Sequence, residues 1–272
     1  MFLVLALLAS WTVYYLGGSG AWIVPIAVLI SVAITWGAWW NSDKFVLRMA
    51  NAKIVTREQA PQLYNLVEEL TIASGLPMPK IAIVEDSAPN AFATGRDPEH
   101  GVVAFTTGLL QKMDRDEIQG VAAHELAHIG NRDTLVMAVA ATTAGIIAIM
   151  ADVIFRATLF SGGRREGGHP FLALIGVVAL VLAPLAAALL RASVSRKREW
   201  LADATAVAYT RNPQGLRRAL ETLRDDSTVV KQTSTAISHM WIESPLAGGL
   251  GQMFSTHPPI QERIDALRQM GG

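Results

Sequence analysis

His124-Glu125-Leu126-Ala127-His128 sets two imidazoles four residues apart with a carboxylate directly after the first. On an α-helix residues i and i+4 share a face, so His124 and His128 can offer ring nitrogens to one ion while Glu125 points into the adjoining space. The residues upstream favour that helix. Asp114 stands where an N-cap belongs and Glu117 follows three residues later, the pairing of a capping box. The helix is expected to run through the histidine pair toward an apolar stretch that opens at Thr134. Two His and a Glu in this register are the arrangement that holds zinc and activates water, which makes hydrolysis the first chemistry to consider. The competing reading is a helix whose histidines only pack or face solvent.

The 272 residues around this helix are 51% hydrophobic and 17% charged, with a mean hydropathy of +0.32. That is more apolar and less charged than an ordinary soluble domain, so an integral membrane protein is the first architecture to test. Lys plus Arg equals Asp plus Glu at 23 each, which leaves no basic field of the kind nucleic acid requires. There is no cysteine. Disulfides, thiolate metal sites and a cysteine nucleophile are excluded together, and any metal must be held by His, Asp or Glu.

Four apolar stretches organise the chain. Met1 to Leu16 and Ala21 to Trp40 flank Gly17-Gly18-Ser19-Gly20 and read as a hairpin over residues 1–40. The second of them matches the thickness of a hydrocarbon core and has Trp22 and Trp39-Trp40 at its ends. A signal peptide is the alternative for the first, but it lacks a basic leader and runs into a second span. Thr134 to Phe155 and Phe171 to Leu190 flank a Gly-rich loop and read as a second hairpin, residues 134–190. Helices buried in a large soluble protein are the alternative there. Asp152 in the third stretch sits at a costly depth for a polar group.

Two hairpins put the polar blocks 41–133 and 191–272 on the same face. Those blocks hold 20 of the 23 Lys and Arg residues, and the positive-inside rule then places them in the cytoplasm. Arg164-Arg165, in the loop between the third and fourth stretches, goes against that bias and leaves the crossing of the second hairpin open. The blocks are long enough to share one core. Thr56 with Gln59 is expected to cap a helix whose apolar positions Leu63, Leu66, Val67 and Leu70 recur to Gly75. Ile81 to Val84, Ala91 to Thr94 and Val102 to Thr106 read as short strands of a small sheet. Pro213 after Asn212, and the pair Pro258-Pro259, open two more helices.

A catalytic zinc has three protein ligands and one open position. In one large class the third ligand is a His six residues after the second, but Thr134 occupies that place. A Glu on a second helix is the other common choice. His128 lies just before the third apolar stretch and Glu199 just after the fourth, so an antiparallel hairpin sets their helices side by side. Glu221, with Asp225 four residues on, is the rival. Asp203 falls one turn after Glu199 on the same face, where it can accept the N–H of a ligating imidazole. Asp133 could serve the same purpose or lie at the edge of the third stretch, and its role stays open.

Asn90 to Gly95 (NAFATG), Val103 to Gln111, His124 to Asp133 (HELAHIGNRD), Ser195 to Asp203 (SRKREWLAD) and Phe254 to Pro259 (FSTHPP) together resemble the HtpX-type membrane metallopeptidases, relatives of the type I CAAX prenyl protease. The resemblance covers almost the whole chain. It implies one Zn2+ bound by His124, His128 and Glu199, Glu125 as catalytic base, and His257 and Asn90 lining the site to assist substrate or oxyanion. Without it, Asn90 reads as a turn residue and His257 as a loop residue. The resemblance also implies a multi-pass protein of the bacterial cytoplasmic membrane. Its site would face the cytoplasm, and it would cleave unfolded or damaged membrane proteins in quality control and stress response, with self-cleavage also in prospect. The expected fold is a mainly α integral membrane protein with four transmembrane helices, a small β-sheet and a zincin-like peptidase domain assembled from the two polar blocks. A membrane scaffold or assembly factor with an inactive zinc site is the reading from a different class.

Overall fold

The structure, a computed structural model, describes residues 33, 36, 37, 40–133, 135–136, 196–228, 241–242 and 258–271. Backbone proximity divides the chain into two units, residues 1–41 with 139–190 and residues 42–138 with 191–272, and the second unit holds nearly all of the described residues. The four apolar stretches fall almost wholly outside the described residues, as do Asp152, Arg164 and Arg165. Among the described residues no helix is long and apolar enough to cross a membrane.

The three apolar runs form strands β2 (Lys80–Val84), β3 (Ala91–Thr94) and β4 (Val102–Thr106), and a two-residue strand β1 (Lys53–Ile54) joins them. The sheet order is β1-β2-β4-β3, with β2 parallel to β4 and both outer pairs antiparallel. Successive side chains of a strand point to opposite faces, and here both faces are buried. Ile81, Ala91, Ala93, Val103 and Phe105 enter the larger core. Ala82, Val84, Phe92, Val102 and Ala104 pack on the other side against Val46 and Leu47 of helix α1 (Ser42–Met49), with Ala50 and Trp241. Burial on both faces explains why these strands read as continuous apolar runs rather than as an alternation.

The larger core is closed by helices α2 (Pro61–Ser74) and α4 (Arg115–Gly130), by α5 over residues 196–210, and by α6 (Pro213–Asp225) and α7 (Ile260–Met270). A short helix α3 (Thr107–Lys112) leads from β4 toward α4 and is capped by the Thr106 hydroxyl, which accepts from the Leu109 N–H at 3.1 Å. Helix α2 starts later than the Thr56 signal predicts. The Thr56 N–H does donate to Gln59 Oε1 at 2.9 Å, but within a turn that precedes the helix, and Pro61 opens the helix itself. A proline at the first helical position has no N–H to leave unpaired, which makes it the stronger start signal. Gly75 ends α2 in the left-handed region at φ 70°, as expected of a C-terminal glycine.

Helices α4 and α6 cross at two glycines. A Cβ on Gly120 would lie 2.5 Å from the Leu216 backbone N, and one on Gly215 would lie 2.5 Å from the Asp116 carbonyl oxygen. Backbone meets backbone here, so neither side can yield by a rotamer change. Gly120→Ala is expected to destabilise the protein by about 1–3 kcal/mol through overpacking, read as a lowered thermal midpoint. A variant as stable as the parent would mean that the two helices cross farther apart.

Candidate metal centre

Helix α4 carries the histidine pair, and its start is fixed by the expected capping box: the Glu117 N–H donates to Asp114 Oδ1 at 2.9 Å and the Asp114 N–H to Glu117 Oε2 at 2.9 Å. Val121, Ala122, Ala123, Leu126 and Ala127 are all buried, and the small side chains among them let neighbouring elements approach closely. His124 and Glu125 are buried with them at 0% and 1% exposure. The helix does not run on unbroken toward the third apolar stretch. It ends at Gly130, Asn131 caps it, and Arg132 adopts a left-handed φ of 55° before Asp133 resumes helical backbone.

That break has a chemical consequence. It turns Asp133 back so that its Oδ2 lies 2.5 Å from His128 Nδ1. On the other side His124 Nδ1 lies 2.9 Å from Asp203 Oδ1. A carboxylate only accepts, so each imidazole donates from Nδ1 and presents Nε2 with its lone pair inward. The two Nε2 atoms are 3.1 Å apart. Glu199, on α5, completes a triangle with Oε2 at 3.5 Å from His124 Nε2 and Oε1 at 3.5 Å from His128 Nε2.

His124, His128 and Glu199 are thus brought together with a ligand atom from each within mutual reach of one ion. Tetrahedral ligands at zinc-like bond lengths are separated by roughly 3.3 Å, which these edges bracket. Two acceptor nitrogens facing each other repel unless a cation or proton lies between them. Charge points the same way: Asp133, Glu199 and Asp203 pair with two guanidinium groups, Arg198 and Arg263, which leaves an excess of negative charge that favours a cation. Burial and the Arg263 charge push the His124 pKa down, yet its interactions with Asp203 and Glu199 outweigh them and hold it up at about 9. His128 is pushed down by burial. The donor set fits a divalent metal.

Among the four carboxylates of the site Glu125 alone makes no ion pair with an arginine or an imidazole among the described residues. Burial raises its pKa, and its Oε2 is buried with no hydrogen-bond partner among the described residues. A carboxyl group in that condition can exchange a proton with something brought into the site. Asp203 is held down instead: burial would raise it, but the Arg263 charge and the His124 hydrogen bond prevail.

Two arginines complete the surroundings, and neither stands out in the sequence. Arg198 donates to the Asn131 carbonyl at 2.6 Å and pairs with Asp133. Arg263, 1% exposed, donates to both oxygens of Asp203 at 2.7 and 2.8 Å. A signal for Arg263 exists in the periodicity of α7: it lies three residues after Ile260 and four before Leu267, on the face that enters the core.

The remaining candidates are placed differently. Asn90 is 3% exposed at the head of β3, where its backbone pairs with Thr106 and its Oδ1 accepts the Ala91 N–H at 3.0 Å. Glu221 accepts from Arg217 on its own helix at 2.6 Å and is not one of the three clustered residues. His257 lies outside the described residues.

Residues 57–271 match the model of peptidase family M48. The chain is 45% identical to a protein named "Protease HtpX homolog" from Syntrophobacter fumaroxidans, covering 97% of each chain. It is 43% identical to a protein of the same name from Pyrococcus furiosus, covering 94% of this chain and 89% of that one. The crystal structure of S. mikatae Ste24p is similar in fold, with a TM-score of 0.59 at 22% identity over 90% of this chain and 58% of that one. A family match that takes in the HExxH helix, Glu199 and the C-terminal helix settles the classification: the chain belongs to peptidase family M48 and is a metallopeptidase.

Proposed function

We propose that the protein is a membrane-embedded zinc endopeptidase that hydrolyses peptide bonds of misfolded or damaged membrane proteins, with Glu125 as general base. The observation that carries this reading is the triangle of His124 Nε2, His128 Nε2 and the Glu199 carboxylate, with edges of 3.1 to 3.5 Å, next to the buried Glu125. Zinc bound there supplies a Lewis acid that polarises a peptide carbonyl and lowers the pKa of water toward neutrality. Glu125 takes the proton from that water and returns it to the leaving amine. Asp203 and Asp133 hold the two imidazoles in the ligating tautomer.

Asn90 and His257 are proposed to contact the substrate or the oxyanion of the tetrahedral intermediate, by resemblance alone. An extended substrate would pair with edge strand β3. Part of that edge is in use, because the Ala91 carbonyl accepts from the Ile242 N–H at 3.0 Å and Phe92 bridges to Trp241.

The membrane assignment rests on the four apolar stretches. Hairpins 1–40 and 134–190 would cross the bilayer, and blocks 41–133 and 191–272 would form the peptidase domain on the cytoplasmic side of a bacterial inner membrane. Exposed Trp36 and Trp40, stacked at 6.4 Å near the end of the first hairpin, suit an interfacial position. The test is metal removal from the purified full-length chain. Chelation is expected to abolish cleavage of a denatured membrane protein and of the chain itself, and stoichiometric Zn2+ to restore it. Cleavage that survives complete demetallation would overturn the proposal.

A further inference from the structure

Arg263 belongs to the C-terminal helix, 64 positions from Glu199 along the chain, yet its guanidinium reaches three groups around the metal triangle. Nε and Nη2 hold the two Asp203 oxygens at 2.8 and 2.7 Å. Nη1 stands 3.3 Å from Glu199 Oε2. Nη2 also lies 3.4 Å from the His124 ring nitrogens. The group is 1% exposed, and such burial is tolerated because two carboxylates face it. Glu199 and Asp203 are one turn apart on α5, the first a candidate ligand and the second the group that orients His124.

A guanidinium is a rigid plane. Once two of its nitrogens are fixed on Asp203, the position of the third is fixed as well, and it stands in ion-pair contact with Glu199 Oε2, drawing that carboxylate toward the side where Asp203 holds His124. Ile264 and Leu267, fully buried in the core, dock the helix that carries this fork. We infer that Arg263 is a positioning residue that sets the metal affinity by locking Glu199 and Asp203 in their ligating geometry, which makes docking of the C-terminal helix part of the metal site. A lysine there would keep the charge but could not span both carboxylates.

The inference rests on the metal reading of the site and is tested by binding, independently of proteolysis. Full-length protein in detergent, carrying Glu125→Gln to prevent self-cleavage, would be titrated with Zn2+ against a chromophoric chelator and with Co2+ by visible absorption. Arg263→Gln is expected to weaken Zn2+ binding by roughly 10–100-fold, the range for loss of groups that orient ligands, and to alter the Co2+ spectrum. Arg263→Lys is expected to recover part of the affinity and still show an altered spectrum. It carries the test if Arg263→Gln does not fold. Parent-like affinity in a folded variant would overturn the inference. So would weakened affinity with an unchanged Co2+ spectrum, because that would assign Arg263 to stability of the fold alone. A parent that binds neither ion would sink the metal reading as well, and the two failures are thereby distinguished.

Discussion

Glu125→Gln is expected to leave one metal ion per chain in place and to lower the rate of peptide cleavage by at least about 10²–10⁴-fold, the range for loss of a general acid–base group. Glutamine keeps the shape of the side chain and removes its ability to take a proton. The site is suited to this role because Glu125 is buried beside the two histidines and, alone among the four carboxylates there, is tied to neither an arginine nor an imidazole by a hydrogen bond or ion pair among the described residues. Metal content and cleavage should therefore separate. Full activity in a metal-loaded variant would remove Glu125 from the mechanism, and loss of metal would make it a structural group.

Glu199→Ala is expected to abolish both metal retention and activity. Two imidazoles remain after this substitution, and two ligands do not hold a catalytic zinc. The loss also leaves Arg263 with one carboxylate where it had two, so some destabilisation of the fold accompanies it. Glu221→Ala is the informative comparison. Glu221 pairs with Arg217 one turn away on a partly exposed helical face, an interaction worth about 0.3–0.5 kcal/mol, and its removal should leave metal content unchanged. Metal analysis of the two purified variants decides the matter. Retained metal in Glu199→Ala together with lost metal in Glu221→Ala would exchange the assignments.

Much of this site is legible in the sequence because it depends on helical spacing. His124 and His128 share a face by their separation, Asp203 falls one turn from Glu199, and the Asp114–Glu117 cap marks where the helix begins. Pairing Glu199 with the histidines needs only the idea that a hairpin returns the chain to its starting point. The position of Asp133 is of another kind. It faces His128 because Arg132 takes a left-handed backbone conformation that no composition signal announces. Arg198 and Arg263 escape a reading by residue type because cations on helices are usually solvated; the periodicity of α7 puts Arg263 on the core face, whereas only tertiary packing turns Arg198 inward. Strand β1 is two residues long and exposed, which is below what any periodicity can register. The late start of α2 is readable at Pro61, a signal that outranks the one at Thr56. His257 and nearly all of the four apolar stretches lie outside the described residues, and their roles rest on sequence alone.

Everything proposed for catalysis depends on one divalent ion held among His124, His128 and Glu199. Anomalous scattering from crystals of the full-length Glu125→Gln protein, measured on both sides of the zinc absorption edge, locates such an ion without reference to activity. The expected result is a single strong edge-dependent peak about 2.0–2.2 Å from the Nε2 atoms of His124 and His128 and from a Glu199 carboxylate oxygen. A zinc-loaded crystal with no peak among these residues, or with its peak elsewhere such as beside Glu221, would contradict it.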